Sequence, residues 1–252
     1  MILESSMKTL AFPLTLVAAL TFFAHNPVAA ANVSALATVD GEGARSLAQQ
    51  ARSQLDQGKY KAALRSLGIA IRKDPTAAEA YFLRSVAYDH LGLPNHALRD
   101  LNQFIKLRPS DARGYIRRGD IKNFNMQHEE AIVDYETAAR LAPSSSSPFL
   151  GRGLARAALG RHDEAIKDYL WVLKLDPDNR EVLGNIGIAC MLAGKPFQAM
   201  TYFEKALSVE TNPRWRKQIR EWMSRLLNEV EASGSKKAGP TRLGSQRPRP
   251  MW

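Results

Sequence analysis

Three arginines recur at a spacing of 34 residues, and each is followed sixteen residues later by an aspartate. The pairs are Arg84 with Asp100, Arg118 with Asp134, and Arg152 with Asp168. Such pairs could form a row of ligand-binding guanidinium groups, or internal ion pairs that join two elements. We favour the internal ion pairs, because an unpaired arginine at a packed position would strongly destabilise the fold. The positions one period before and after this series lack both members, having Gln50 with Ser66 and Ile186 with Tyr202.

The other residues that could carry chemistry do not form a recognisable site. His128 and His162 are 34 residues apart, which makes them copies of one another and not partners in one site. Cys190 is the only cysteine, so the chain has no internal disulfide and no cysteine-rich zinc site. The sequence also contains no glycine-rich phosphate loop, no nucleophile elbow and no paired-carboxylate arrangement. We therefore expect a protein that is not an enzyme and that has no metal site and no cofactor.

The elements that position these residues follow the same period. The prolines that define it are 34 residues apart, at Pro75, Pro109, Pro143 and Pro177. An alanine lies twelve residues before each of them, at Ala63, Ala97, Ala131 and Ala165. A period of this length is typical of a repeat protein. Because the period covers most of the chain, the repeat and not any single residue defines the molecule.

Each copy of the repeat predicts two helices joined by a tight turn. The first helices are predicted at about 44–57, 78–91, 112–125, 148–159 and 180–193, and the second at about 61–73, 95–107, 128–141, 162–174 and 196–208. Four of the five turns contain a glycine, which suits a backbone with positive φ, at Gly58, Gly92, Gly160 and Gly194. Met126 takes this place in the third copy, where we expect a strained or differently built turn.

These positions resemble the tetratricopeptide repeat (TPR), whose signature combines an aromatic residue, a glycine, an alanine with an aromatic residue four positions later, and a closing proline. The clearest matches are Phe149, Gly153, Ala165, Tyr169 and Pro177, and Tyr115, Gly119, Ala131, Tyr135 and Pro143. The resemblance covers about two thirds of the chain and implies an all-α, right-handed α-solenoid of about five repeats, at 44–77, 78–111, 112–145, 146–179 and 180–212. Two helices of about 13 residues cannot bury a core alone, so the copies must stack on one another.

The two ends of the chain differ from the array. Lys8, an apolar run from Thr9 to Ala24 and the small residues Ala29–Ala31 predict a signal peptide over residues 1–31, with an uncleaved N-terminal anchor as the alternative. We expect an exported protein, periplasmic or secreted, with a flexible lead-in over 32–43. An apolar stripe on a charged segment predicts a capping helix at 213–232. Glycine, serine, proline and basic residues predict a disordered basic tail at 233–252.

The resemblance also implies a concave groove, lined by the first helices, that receives an extended peptide or a helix of a partner protein. Carried over by register, the groove positions are Arg45, Arg52, Phe82, Val86, Asp89, Arg113, Ile116, Asp120, Asn123, Leu150, Leu154, Ile188 and Met191. Ala48, Phe82 and Ile116 occupy places where chaperone-tail binders of the family carry cationic clamp residues, so we do not expect binding of chaperone tails. We expect a non-catalytic interaction scaffold of the cell envelope. Packing of some of these apolar residues inside the array is the alternative.

The net positive charge of the chain suggests a second function. The sequence contains 35 Lys and Arg against 25 Asp and Glu, a net charge of +10. Half of this excess lies in the tail, at Lys236, Lys237, Arg242, Arg247 and Arg249. The tail could contact an anionic envelope polymer or a membrane surface while the repeats act as a spacer. Nucleic acid is not an expected partner, because its binding requires a basic stripe on a folded face. Self-association is left open.

Overall fold

A computed structural model describes residues 27–235, with side chains from 41 to 232, and within this range every element of regular structure is a helix. The eleven helices are α1 (Pro27–Asp56), α2 (Tyr60–Lys73), α3 (Ala78–His90), α4 (Pro94–Leu107), α5 (Ala112–Phe124), α6 (His128–Leu141), α7 (Ser147–Ala158), α8 (His162–Leu175), α9 (Arg180–Leu192), α10 (Pro196–Val209) and α11 (Pro213–Ser235). The predicted all-α class is confirmed. Residues 1–26, which carry most of the predicted signal peptide, and residues 236–252, which carry most of the predicted tail, lie outside the described range.

The helices begin at capping residues and prolines that the sequence analysis can identify. Asp111 begins α5 by accepting a hydrogen bond from the backbone N–H of Arg113. The side-chain oxygen of Asn179 accepts from the N–H of Val182 at 3.1 Å and begins α9. Pro94 and Pro196 occupy the first turns of α4 and α10, where a missing N–H is harmless. From α2 to α10, the predicted helix bounds agree with the structure to within one or two residues.

The turns inside the repeats use the left-handed backbone conformation. Gly58, Gly92, Gly160 and Gly194 have φ values of 68°, 70°, 77° and 71°. Met126 adopts the same conformation, with φ of 64°. A side chain in this region is strained by about 1–2 kcal/mol. The third turn is therefore strained, as expected, but it is built in the same way as the others.

The structure differs from the sequence prediction at both ends of the array. The segment 32–43, predicted as a flexible lead-in, is part of α1. The segment contains no proline, and Ala35, Leu36 and Ala37 favour a helix, although Gly41 and Gly43 do not. At the other end, α11 continues three residues beyond the predicted bound at residue 232.

The helices divide into two compact units at Ala87 and Tyr88, within α3. The first unit contains α1, α2 and most of α3. Its core is made almost entirely of small side chains, at Ala44, Ala48, Ala51, Ala63, Leu67, Ala70, Ala80, Leu83 and Ala87. Alanine at the contact positions lets helix backbones approach closely.

The second unit, from Tyr88 onward, packs rings against glycines. The ring of Tyr135 in α6 lies against Gly119 of α5 and Gly151 of α7, where an added Cβ would overlap it. Gly153 meets Tyr169 and Gly187 meets Phe203 in the same way. The period thus reflects one packing contact, an aromatic side chain on a second helix that fills the space left by a glycine on a first helix.

The helix α11 completes the core at the C-terminal end of this unit. Its side chains Ile219, Trp222 and Leu226 are buried in one cluster with α8, α9 and α10. The rings of Trp222 and Phe203 are 5.7 Å apart. This arrangement is the one expected for a capping helix, which covers the apolar face that a last repeat would otherwise expose.

Candidate functional site

One groove in the second unit brings together side chains of α5, α6 and α7. Its volume is about 630 Å³. The apolar lining consists of Ile116, Phe124, Met126, Leu150, Leu154 and Ala158. The polar lining consists of Asp120, Asn123, His128, Tyr135 and Ser147. No lysine or arginine belongs to this lining among the residues that the structure describes.

The helical period accounts for the lining. Ile116, Asp120 and Asn123 follow one another at steps of four and three along α5 and therefore share one face of that helix. Leu150 and Leu154 are one turn apart on α7 and share a face in the same way. At one edge of the groove, Phe124 and Met126 are 88% and 77% exposed, an unusual state for large apolar side chains.

The polar part of the groove is ordered by hydrogen bonds. The hydroxyl of Tyr135 donates to Oδ1 of Asp120 over 2.8 Å. Nδ1 of His128 and Oδ1 of Asn123 are 2.7 Å apart. Burial raises the pKa of the Asp120 carboxyl, an effect that the hydrogen bond from Tyr135 and the charge of Arg117 oppose. Burial, and then the nearby Asp120, raise the pKa of Tyr135, which remains a neutral donor.

Five of the predicted groove residues come together in this groove, namely Ile116, Asp120, Asn123, Leu150 and Leu154. Two other predicted groove residues, Asp89 and Arg113, form ion pairs. Asp89 accepts a hydrogen bond from Nη2 of Arg117 over 2.8 Å. Arg113 pairs with Asp111 at the start of α5, at 2.8 Å, and does not line the groove.

The four predictions in the first unit lie on α1 and α3. Arg45 is exposed. Arg52 forms an ion pair with Glu79, and this pair joins α1 to α3. Phe82 and Val86 are half-buried on α3. The ion pair of Arg52 thus links two helices of the first unit.

The predicted contact residues Ile188 and Met191 require a correction. Their exposed fractions are only 5% and 7%, and both belong to the cluster that α11 completes. Every residue from Val182 to Met191 is buried, so α9 presents no open face. The alternative given from the sequence, that some of these apolar residues pack inside the array, therefore holds for Ile188 and Met191.

Two of the three predicted arginine–aspartate pairs, Arg118 with Asp134 and Arg152 with Asp168, form interhelical ion pairs. Nε of Arg118 donates to Asp134 over 3.0 Å and its Nη2 donates to the other oxygen, while Nζ of Lys122 lies 2.7 Å from the same carboxylate. One repeat later, Asp168 accepts from Arg152 over 2.6 Å and from Arg156 over 2.8 Å.

We did not predict Lys122 and Arg156 from the sequence as second cations of these ion pairs. The signal was present, because they are 34 residues apart and each follows its arginine by four positions. In the second copy, Asp100 is buried and the guanidinium of Arg84 lies 5.6 Å from the ring centre of Tyr81. An ion pair between Arg84 and Asp100 stays a prediction.

Two further properties concern the described residues only. No group of three or more His, Cys, Asp and Glu side chains is arranged there to hold a metal ion. Nor does that part of the chain include a helix with the length and apolar character needed to cross a bilayer.

Models of the tetratricopeptide repeat match residues 48–95, 112–145 and 150–214, more than half of the chain. The chain belongs to the tetratricopeptide repeat family. No curated protein matches its sequence. The family and the confirmed all-α class together support the interpretation of the chain as a TPR solenoid, and the family is generally one of non-catalytic interaction proteins.

Solved structures show the same fold at low sequence identity. A crystal structure of MamA has a TM-score of 0.62 and 22% identity, covering 80% of this chain and 100% of MamA. YrrB, described as a TPR protein with an unusual peptide-binding site, has a TM-score of 0.61 and 17% identity, covering 69% of this chain and 90% of YrrB. PilW, described as a widely conserved type IV pilus biogenesis factor, has a TM-score of 0.66 and 20% identity, covering 76% of this chain and 89% of PilW.

Proposed function

We propose that this protein is a non-catalytic scaffold that binds a peptide or a helix of another protein in the groove between α5 and α7. The observation that carries the proposal is the convergence of Ile116, Leu150 and Leu154 on one open groove. Apolar side chains that remain accessible in a folded unit favour an apolar partner surface. The exposed side chains of Phe124 and Met126 at the edge enlarge the apolar area that such a partner would bury.

We extend the proposal to the cell envelope. The apolar run and small-residue stretch of residues 1–31 are typical of a signal peptide. The similarity to PilW, whose description names a pilus biogenesis factor, supports the same location. The partner is then a protein that is exported or exposed at the envelope.

Site-specific photocrosslinking tests the groove in cells. A photoreactive residue at Leu154, inside the groove, should capture a partner protein, whereas one at Leu227, which is 50% exposed on α11, should not.

The captured segment, made as a peptide, should bind the purified chain and lose at least about tenfold in affinity with Leu154→Lys. Leu227→Lys is the matched control and should bind like the unaltered chain. Identical crosslinks from both positions, or equal affinity for both variants, would exclude the groove as the binding site.

The alternative function is contact of the basic tail with an anionic polymer or membrane, and it rests on the five cations of residues 236–252. Sedimentation with anionic vesicles separates the two proposals, because only the tail function is lost in a chain that ends at residue 232. Binding that is unchanged by this truncation would remove the tail as the cause.

A further inference from the structure

Asp120 is the acidic member of a row of equivalent positions. Arg52, Val86, Leu154 and Ile188 occupy its place in the other four copies of the repeat, at intervals of 34 residues. Among the residues that the structure describes, Asp120 is also the only carboxylate in the groove lining, which otherwise combines apolar side chains with neutral polar groups and His128. A single acidic side chain therefore stands in a groove that is mainly apolar.

The charge of Asp120 is not neutralised by an ion pair among the described residues. Its carboxylate accepts a hydrogen bond from the neutral hydroxyl of Tyr135, over 2.8 Å. The nearby Arg117 is engaged by Asp89 at 2.8 Å. By contrast, the buried Asp134 and Asp168 each bind two cationic side chains. A half-buried carboxylate without such a partner lowers the stability of the free protein, so its presence calls for a reason.

A purely structural reason, positioning of the Tyr135 ring, does not account for it. Tyr169 occupies the equivalent position one repeat later and is 1% exposed, as is Tyr135. The residue at the place of Asp120 in that repeat is Leu154. The buried tyrosine therefore does not depend on a carboxylate at this position.

We propose that Asp120 is a specificity-determining residue, which selects a segment of a partner protein that carries one lysine or arginine between apolar residues. This inference rests on the proposed function of the groove. The aliphatic stem of such a side chain can lie on Leu150 and Leu154 while its charged end pairs with Asp120. An acidic segment is repelled, and a wholly apolar one leaves the carboxylate desolvated without a partner, so both are disfavoured.

Selection from a random peptide library tests the proposal on the full chain. Peptides selected on the unaltered protein should share one Lys or Arg flanked by apolar residues, and those selected on Asp120→Asn should keep the apolar positions and lose the cationic one. Asparagine retains an oxygen that can accept from Tyr135, so the variant removes the charge and leaves the hydrogen bond. Equal enrichment of the cation on both proteins would overturn the inference.

Affinities of one selected peptide give the quantitative form of the test. Replacement of its cation by glutamine should weaken binding to the unaltered chain about tenfold, and should change binding to Asp120→Asn less than twofold. Equal losses on both proteins would refute a direct pair.

A Leu154→Lys chain separates failure of the inference from failure of the proposed function. If Leu154→Lys abolishes binding but no cation is selected, the groove is a binding site and the role of Asp120 is refuted. If Leu154→Lys leaves the binding of all selected peptides unchanged, the groove itself is refuted. Displacement of a selected peptide by a synthetic peptide of residues 236–252, with its five cations, would support the cationic preference and identify the chain's own segment as a competitor.

Discussion

At the scale of residues, the Asp134 carboxylate joins α5 to α6 through two cations of α5. Its side chain is 3% exposed, and Arg118 and Lys122 are 21% and 22% exposed. Because Lys122 remains when Arg118 is removed, the two ends of the ion pair are not equivalent. Asp134→Ala should destabilise the chain by about 3 kcal/mol, and Arg118→Ala by about 1–2 kcal/mol. In chemical denaturation, the double variant should lose less than the sum of the two single losses. Additive losses would contradict the ion pair.

Replacement of Asp120 should stabilise the chain, in contrast to replacement of Asp134. Burial raises the pKa of its carboxyl in the folded chain, so ionisation of Asp120 opposes folding above that pKa, and protonation removes this effect as the pH falls below the unfolded value. The groups that face Asp120 are Tyr135 and His128 of α6, Arg117 of α5 and Asp89 of α3. Asp120→Asn should therefore stabilise the free chain at neutral pH, with a difference that shrinks in acid. Urea denaturation across this pH range measures it, and a less stable variant at neutral pH would assign Asp120 a structural role.

At the scale of elements, the glycines of the first helices set how closely neighbouring helices approach. A Cβ at Gly151 of α7 would overlap the ring of Tyr135, whereas a Cβ at Gly68 of α2 meets only the end of Arg72 at 3.7 Å. Gly151→Ala should lower the free energy of unfolding by about 1–3 kcal/mol, because α7 must move away from α6. Gly68→Ala, the matched control, should raise it by about 0.5–1 kcal/mol through helix propensity. Thermal denaturation of both variants measures the difference, and losses of the same sign would contradict this account of the packing.

The helices themselves were predictable because each of their signals is local. A proline or a capping side chain such as Asp111 fixes where a helix begins, and a turn glycine fixes where one ends. The helical state of residues 32–43 was missed because small and polar composition suggested a lead-in, although the alanines of that segment favour a helix. The register predicted the five groove residues for the same local reason, since side chains three and four apart share a helix face.

At the scale of the whole molecule, the sequence could not predict which equivalent positions remain accessible. Leu154 and Ile188 are 34 residues apart and carry similar side chains, yet Leu154 lines the groove and Ile188 is buried. Ile188 is a buried member of the cluster shared by α8 to α11, whereas Leu154 packs against the edge of the same cluster and stays half-buried. A register assigns the same environment to every copy, whereas burial depends on whether the following element is a further repeat or a cap.

The dependence of each repeat on its neighbours predicts how the C-terminal end of the array unfolds. Trp222 of α11 is 5% exposed and packs on Phe203 of α10, so Trp222→Ala should destabilise this end by about 3 kcal/mol. In hydrogen exchange, α9 and α10 should lose protection while α5 and α6 retain theirs, because a stacked array opens from a weakened end. Leu227→Ala, on the same helix but 50% exposed, should change stability by no more than about 0.5 kcal/mol. An equal loss of protection in all helices from α5 to α10 would show that the unit unfolds as one cooperative body, and the groove would then depend on α11 for its stability.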